Sequence, residues 1–590
     1  MNLFKNKGLE LGWGYLWEHK KKVLRIFLIS MAGAALGAIV PLIFGKMVRD
    51  ATDPKTLISL LVAMCIVWIF FDQFYNWTTR YSDKNGAHVG WDASGKLFVK
   101  NMQHFIKLPM SFLADQRLGK IVQRLDRSVE YLERDIRDVV FSSVPHFISA
   151  VICLSVSIYL NLLLGLLLLG TVILYIFAMR SKTKLILAKA REVRKMWEEC
   201  WGYMWDIINN IKTIKGNTTE EFEMERIERA YSAPYKKEKE IEEIRTELKM
   251  RGHVIFGLGA VLTLSLGVWL LRIGAIDSGI LISFSFYLNL VYKPFGQLSH
   301  NWRLVQESTV ALERTAKFEE LTEEDYESGN DYEMIGRIEF KDVSFAYKGD
   351  PEDENRHVFK NLNFTVNPGE TVALVGKSGV GKTTLADLIS RYYEPESGSI
   401  LIDGKDIRTW NLKSLRSQIA LVPQDVNLFN DSVRLNIAYG NLSILHDNSA
   451  IEEASSDAYA HEFITGPKFK GGYDQVVGER GVKVSTGQRQ RIAIARAFAR
   501  NKNTRILILD EVTSALDSES EKHIQEALHN LKQGKTTFII AHRLSTIKNS
   551  DKIIVMDKDG IAEIGSHTEL MKNNGSYKKF VDLQSLSTNA

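Results

Sequence analysis

A chain of 590 residues is too long for a single hydrophobic core, so at least two domains are expected. Its composition, 45% hydrophobic and 25% charged, lies near the soluble average, and a net charge of +4 over this length is too small to imply a nucleic-acid partner. Cys65, Cys153 and Cys200 are scattered, without the spacing of a disulfide framework or a metal site. The average hides an asymmetry. Most long apolar runs fall before residue 300, and the later part reads as a soluble α/β domain.

The opening residues are polar and aromatic, and Lys20, Lys21 and Lys22 stand just before the first apolar run. This is the pattern of an uncleaved signal anchor with a cytoplasmic N-terminus. Six segments approach the roughly 20 residues that a ~30 Å hydrocarbon layer requires. They are residues 23–44, 57–74, 139–160, 162–178, 253–271 and 279–291 with its continuation. Asn161 alone separates the third from the fourth, which implies a tight outer hairpin. The long stretches after the second and fourth segments are rich in Lys and Arg, which places them in the cytoplasm. They keep helical periodicity (Leu97, Val99, Met102, Ile106) and read as spans that continue ~45 Å beyond the bilayer. Leu108-Pro109 interrupts the first stretch. Residues 215–219 interrupt the second, where Asn217, Thr218 or Thr219 is placed to cap a new short helix containing Glu220 and Glu221.

Polar residues within the spans are weighed separately. Asp72, beside Phe74, Tyr75 and Trp77, is expected in an interfacial belt. Ser285, Asn289 and Tyr292 share one helical face, which must meet other helices or a watery cavity. Pro145 and Pro294 are expected to kink their helices. Trp197, Trp201 and Trp205 are expected to pack helices together. Residues 318–334 are acidic and read as a solvated linker, with apolar alternation resuming at Ile335. The domains expected are therefore 1–320, a linker 321–334, and 335–590.

The strongest motif lies in the last of these. Residues 371–375 form an apolar, β-branched run, followed by a glycine-rich turn and a helical segment over 382–391. Gly376, Lys377, Ser378, Gly379, Val380, Gly381, Lys382, Thr383 and Thr384 carry the spacing G-x-x-x-x-G-K-T. Glycines let backbone N–H groups close around phosphate oxygens, and the following helix N-terminus adds positive potential. Lys382 is placed to reach the β- and γ-phosphates, and the Thr383 hydroxyl to ligate Mg²⁺. A second apolar run, 506–509, ends in Asp510-Glu511, which puts two acids at the carboxyl edge of a sheet. Asp510 would hold Mg²⁺, and Glu511 would orient a water toward the γ-phosphate. A further strand, 536–540, leads to His542.

With these residues in place, Val484-Ser485-Thr486-Gly487-Gln488-Arg489-Gln490 resembles the signature motif of the ATP-binding cassette family, usually Leu-Ser-Gly-Gly-Gln. The family's other elements flank it in order: Tyr347 matches the adenine-stacking aromatic, Gln424 the glutamine facing Mg²⁺ and the attacking water, and 514–517 the loop that communicates between cassettes. Gly478-Glu479-Arg480-Gly481 is similar to a segment of exporters, as are the surroundings of Pro109, Gly119, Lys212, Pro294 and Ala311 in the first half. The resemblance implies an α-helical transmembrane domain of six spans with long cytoplasmic extensions, joined to an α/β P-loop NTPase domain of cassette type. It implies a half-size exporter that pairs with a second copy or a homologous half-transporter. ATP and Mg²⁺ would be sandwiched between the phosphate loop of one cassette and Ser485, Gly487 and Gln488 of the other. Glu511, His542 and Gln424 would be catalytic, with Mg²⁺ at Thr383, Gln424 and Asp510. The substrate would be an amphipathic drug, lipid or peptide, and the protein would be integral to a bacterial inner membrane with its cassette cytoplasmic. An ATP-gated channel or sensor, or an importer on the exporter fold, are the alternatives. Thr486 replaces a glycine of the signature, and its Cβ is expected to resist a positive φ.

Overall fold

The computed structural model describes residues 7–51, 58–114, 118–347, 357–478, 481–500, 503–512, 518–541, 544–558 and 560–588. The chain divides into two compact units, Met1–Ile106 with Leu118–Leu321, and Lys107–Arg117 with Thr322–Ala590.

The first unit is helical. Among the described residues a short helix, Lys7–Glu18, is followed by six long helical runs: Lys20–Ala51, Ile58–Ile106, Leu118–Arg134 continued through Asp135–Ser143 to Val144–Leu160, Leu162–Asn209, Glu220–Arg272 and Ser278–Glu319. Each contains one expected span and extends beyond it. Among the described residues, five of these runs are long and apolar enough to cross a membrane. The sixth, Ser278–Glu319, carries the polar face noted above. Asn161 makes the tight hairpin possible by accepting hydrogen bonds from the Leu163 and Leu164 N–H groups, which caps the helix it starts. Gly165 permits the close approach, since a Cβ there would lie 2.5 Å from the Ile158 backbone.

Pro145 has no N–H to offer the Phe141 carbonyl one turn earlier, and the nine residues Asp135–Ser143 before it adopt π geometry. The carbonyl so released is not left bare, because Ser82 Oγ donates to it at 2.9 Å from the second span. Side chains of the sixth run also donate to backbone carbonyls of the first: Ser283 Oγ to Pro41 at 2.9 Å and Tyr287 Oη to Ala38 at 2.8 Å. The expected polar face of the sixth run is divided. Tyr292 is buried and bonds Thr171 at 2.8 Å, Ser285 returns its hydroxyl to Ile282, and Asn289 is exposed. Pro294 lies within an unbroken helical run. Asp72 accepts from Asn76, next to a ladder of rings formed by Phe70, Phe74, Trp77 and Tyr81.

Two expectations need correction. The short helix of the second cytoplasmic stretch is Ile211–Asn217, ahead of the break and not after it. Asn210 interrupts the long helix first. Thr218, left-handed at φ 52°, then ends the short one, and Glu220 and Glu221 open a 53-residue helix, where their charges suit its N-terminus. Thr219 precedes that helix without a side-chain cap. Of the three tryptophans only Trp197 joins helices, packing edge-on against Tyr231 and donating to Glu238 at 2.9 Å. Trp201 and Trp205 are 48% and 61% exposed.

Among the described residues of the second unit, ten strands form two sheets. β1 (Ile338–Ala346), β2 (His357–Val366), β4 (Ser397–Ile402) and β5 (Lys405–Asp406) pair antiparallel in the order β2-β1-β4-β5. The second sheet has the order β10-β9-β3-β8-β7-β6, from β3 (Thr371–Val375), β6 (Ile419–Val422), β7 (Ile506–Asp510), β8 (Thr536–Ile540), β9 (Lys552–Asp557) and β10 (Gly560–Gly565). Its five strands from β9 to β6 are parallel. Both faces are covered, which is why β3, β7 and β8 read as continuous apolar runs and not as alternating ones. The acidic segment that precedes β1 is not a solvated tether. Glu324 makes a paired salt bridge to Arg416 at 2.7 Å, and Tyr332 packs edge-on against the fully buried Trp410. Burial works against the Glu324 charge, but the Arg416 guanidinium outweighs it and holds the carboxyl below its ordinary range. The acidity of the run concealed these aromatic and ionic anchors.

Candidate active site

Strand order creates the site. β3, β8 and β7 are adjacent and parallel, so their carboxyl ends open at one edge of the sheet. From β3 the chain enters the turn 376–381 and then the helix Lys382–Ile389, slightly shorter than the sequence suggested. The turn needs its glycines. Gly379 and Gly381 have φ of +85° and +97°, and a Cβ on Gly381 would sit 2.5 Å from Val358. A Cβ on Gly376 would meet the Met556 carbonyl at the same distance. Lys377, Ser378 and Gly379 are exposed at the rim, while Val380 is buried and anchors the turn to the core beneath.

Lys382 is folded back into the turn. Its Nζ donates to the Gly376 and Lys377 carbonyls at 2.9 and 3.0 Å. Burial depresses its pKa, and Glu511 and Asp510 oppose that shift. Thr383 Oγ1 donates to Asp510 Oδ2 at 3.3 Å, so the two oxygens expected to share a cation already face one another. Gln424, in the loop after β6, donates its Nε2 to Glu511 Oε2 at 2.7 Å. Glu511 is a non-glycine residue in the left-handed region at φ 46°, held there by its N–H bond to the Ile540 carbonyl at 2.9 Å. Tyr347 and Thr384 share a hydroxyl hydrogen bond of 2.8 Å, and Tyr393 stands edge-on to the Tyr347 ring. The structure thus gathers Tyr347, the turn 376–381, Lys382, Thr383, Thr384, Gln424, Asp510 and Glu511. His542, the loop 514–517, Glu479 and Arg480 lie outside the described residues.

Ser485, Gly487 and Gln488 sit at the start of a different helix, Thr486–Ala499. There the Ser485 hydroxyl accepts from the Gln488 N–H at 3.2 Å and the Gln488 side chain accepts from the Ser485 N–H at 3.0 Å. This reciprocal cap corrects the concern about Thr486. It occupies the first helical turn with an ordinary negative φ, so its Cβ costs nothing. Its hydroxyl accepts from Arg489 at 3.1 Å.

One residue escaped the sequence reading. Asp387 lies one turn after Thr383 on the same helical face and is half-buried. Burial first, and the Asp510 charge second, raise its pKa to about 6. An acid at i+4 from the motif threonine was the available signal.

Among the described residues no three His, Cys, Asp or Glu side chains cluster as a metal site. A hydroxyl, an amide and one carboxylate instead offer a few hard oxygen donors, a set suited to Mg²⁺ brought in with nucleotide phosphates. A phosphate-cradling turn, a strand-end acid pair and a capped signature helix on a parallel sheet define a P-loop ATPase, here joined to a helical membrane unit.

Comparison with known proteins agrees. The profile described as ABC transporter matches residues 359–514, and that described as ABC transporter transmembrane region matches residues 23–295. YgaD of Bacillus subtilis (strain 168), whose name provisionally assigns it to multidrug export as an ATP-binding/permease protein, is 33% identical over 97% of this chain and 98% of its own. An ATP-dependent lipid A-core flippase of Aromatoleum aromaticum is 36% identical over 81% of this chain and 78% of its own. A solved bacterial Atm1-family ABC exporter with ATP bound superposes with a TM-score of 0.85 at 28% identity, covering 96% of this chain and 98% of that one. The chain belongs to the ABC transporter family and is an integral membrane protein with an ATPase cassette.

Proposed function

We propose that two copies of this chain, or one copy and a homologous half, form an exporter that moves an amphipathic drug, lipid or peptide out across a bacterial inner membrane. Residues 1–320 would supply the pathway and 335–590 the motor, with 321–334 between them. The observation that carries this reading is the convergence of Lys382, Thr383, Asp510, Gln424 and Glu511 at one sheet edge, in a chain that also holds long apolar helices. Ser485 and Gly487 stand at the N-terminus of their own helix, suited to a γ-phosphate presented by a second cassette.

In this reading Lys382 leaves the turn carbonyls and bonds β- and γ-phosphate oxygens, and Tyr347 stacks on the adenine. Mg²⁺ held by Thr383, Asp510 and Gln424 would supply neutralisation of phosphate charge. Glu511 exchanges its bond to Gln424 for one to water and orients that water in line with the γ-phosphorus, with His542 steadying the γ-phosphate. The left-handed Glu511 backbone fixes the direction of its carboxylate. The names of the relatives, one a multidrug exporter and one a lipid flippase, support export of an amphiphile. The test is ATP-dependent accumulation of a fluorescent amphiphile in inside-out vesicles. Uptake is expected with wild type and not with Glu511→Gln. Outward movement from the vesicles would instead favour an importer, and ATP-gated flux down a gradient a channel.

A further inference from the structure

We propose that Arg416 is a positioning residue for the nucleotide base, acting through residues 390–393 on the ring of Tyr347. The inference rests on the reading of Tyr347 as the adenine-stacking ring. Arg416 lies in the short helix Leu412–Ser417, and its side chain is only 18% exposed. All five of its N–H donors find acceptors. Nη1 and Nη2 each donate to a Glu324 carboxylate oxygen at 2.7 Å, and Nη1 also to the Tyr326 hydroxyl at 3.0 Å. The other two bonds reach a different segment: Nε donates to the Ser390 carbonyl at 3.2 Å and Nη2 to the Arg391 carbonyl at 2.8 Å. Glu324 is fixed in turn, since its own N–H donates to the Lys107 carbonyl at 2.8 Å. A guanidinium with its fork on a carboxylate and its remaining N–H groups on two successive carbonyls holds a backbone in one place, which the point charge of a lysine cannot do.

The backbone so held leads to the base. Residues 390–393 directly follow the phosphate-loop helix Lys382–Ile389. Arg391 is a non-glycine residue in the left-handed region at φ 50°, a conformation that persists only where its surroundings impose it. The Arg416 guanidinium also lies over the Tyr392 ring, 4.9 Å from its centre. Beyond this turn the Tyr393 ring stands edge-on to Phe345 at 5.7 Å and to Tyr347 at 5.2 Å between centres. Tyr347 is thereby held at its ring by Tyr393 and at its hydroxyl by Thr384, while it remains 40% exposed. A ring fixed in this way and still open is prepared to stack on a base, whereas a ring free to turn would lose part of the stacking free energy to its own ordering.

The test is displacement of a fluorescent ATP analogue from the full-length protein in lipid nanodiscs by two competitors, non-hydrolysable AMP-PNP and tripolyphosphate, which has no base. Arg416→Lys keeps the charge and loses the five-bond pattern. It is expected to weaken AMP-PNP at least about 3-fold while tripolyphosphate keeps its wild-type affinity. Tyr347→Ala is expected to weaken AMP-PNP about 10-fold, and Arg416→Lys added to it to cause no further loss, because the effect of Arg416 passes through that ring. If Arg416→Lys does not yield folded protein, Glu324→Gln, which releases part of the guanidinium fork, carries the test with an expected loss of about 2-fold for AMP-PNP alone. Equal weakening of both competitors would make Arg416 merely structural and overturn the proposal. Unchanged AMP-PNP affinity, or full additivity with Tyr347→Ala, would overturn it as well, and each of these outcomes leaves the role of Tyr347 standing. Wild-type AMP-PNP affinity in Tyr347→Ala would instead remove the adenine-stacking role itself, and the proposal with it.

Discussion

The phosphate-loop edge of the cassette and the packed interior of the membrane unit hold their polar groups by opposite means. In the cassette the decisive contacts are made within a few residues or by strand ends that the sheet order forces together. Lys382 reaches carbonyls five and six residues away, and Thr383 meets Asp510 because β3 and β7 flank β8. In the membrane unit several polar groups find partners on other helices, between 59 and 242 residues away: Ser283 with the Pro41 carbonyl, Tyr292 with Thr171, Ser82 with the Phe141 carbonyl. Local geometry leaves a spaced motif, and long-range pairing leaves none. Without water to fall back on, a lost partner in the membrane is also harder to replace.

That contrast can be broken or sharpened by substitution. The largest effect is expected at Lys382→Ala. It removes the cation of the loop without touching the core, so nucleotide affinity should fall at least about 10-fold and hydrolysis to background, measured by nucleotide binding and phosphate release. In the membrane unit Ser82→Ala strands the carbonyl that Pro145 cannot serve, at a cost of about 1–3 kcal/mol. Ser285→Ala, whose hydroxyl only returns to its own helix, should cost less than about 0.5 kcal/mol. Thermal midpoints of the two variants in the same nanodiscs check this, and equal midpoints would deny that long-range pairing carries the fold there.

Asp387 tests the cassette from another side. Its folded pKa, about 6, is raised above the unfolded value, so the native state binds this proton more tightly. Its favourable contribution is therefore greatest below the ordinary carboxylate pKa and is lost as pH rises through about 6. Asp387→Asn removes that loss and should stabilise the cassette by about 1–3 kcal/mol at pH 7.5, with the gain fading toward pH 4. A gain that does not vary with pH would mean that the carboxyl titrates alike in the folded and unfolded chain, so that folding does not raise its pKa. The smallest effect is expected at Thr486→Gly. Because Thr486 already has helical φ, restoring glycine should change ATP hydrolysis by less than about 3-fold.

The same contrast explains what the sequence disclosed. Strands β3, β7 and β8 and the loop between Gly376 and Lys382 were legible because buried parallel strands and glycine turns have strong local signatures. The six apolar segments were legible because bilayer thickness sets their length. The π segment before Pro145 was not, since it depends on Ser82 arriving from another helix. The anchoring of the acidic run was hidden because Glu324 is identified only by Arg416, and the benign φ of Thr486 because it depends on a cap that begins at Ser485. Asp387 was overlooked although its spacing from Thr383 was in plain view.

The most direct measurement is the ATP hydrolysis rate of the purified chain in lipid nanodiscs, wild type beside Glu511→Gln. The account predicts that wild type turns over, and that the variant still binds ATP but hydrolyses it at least about 100-fold more slowly, since only the water-orienting carboxylate has gone. Hydrolysis by Glu511→Gln at the wild-type rate would contradict the role given to Glu511 and, with it, the proposed site.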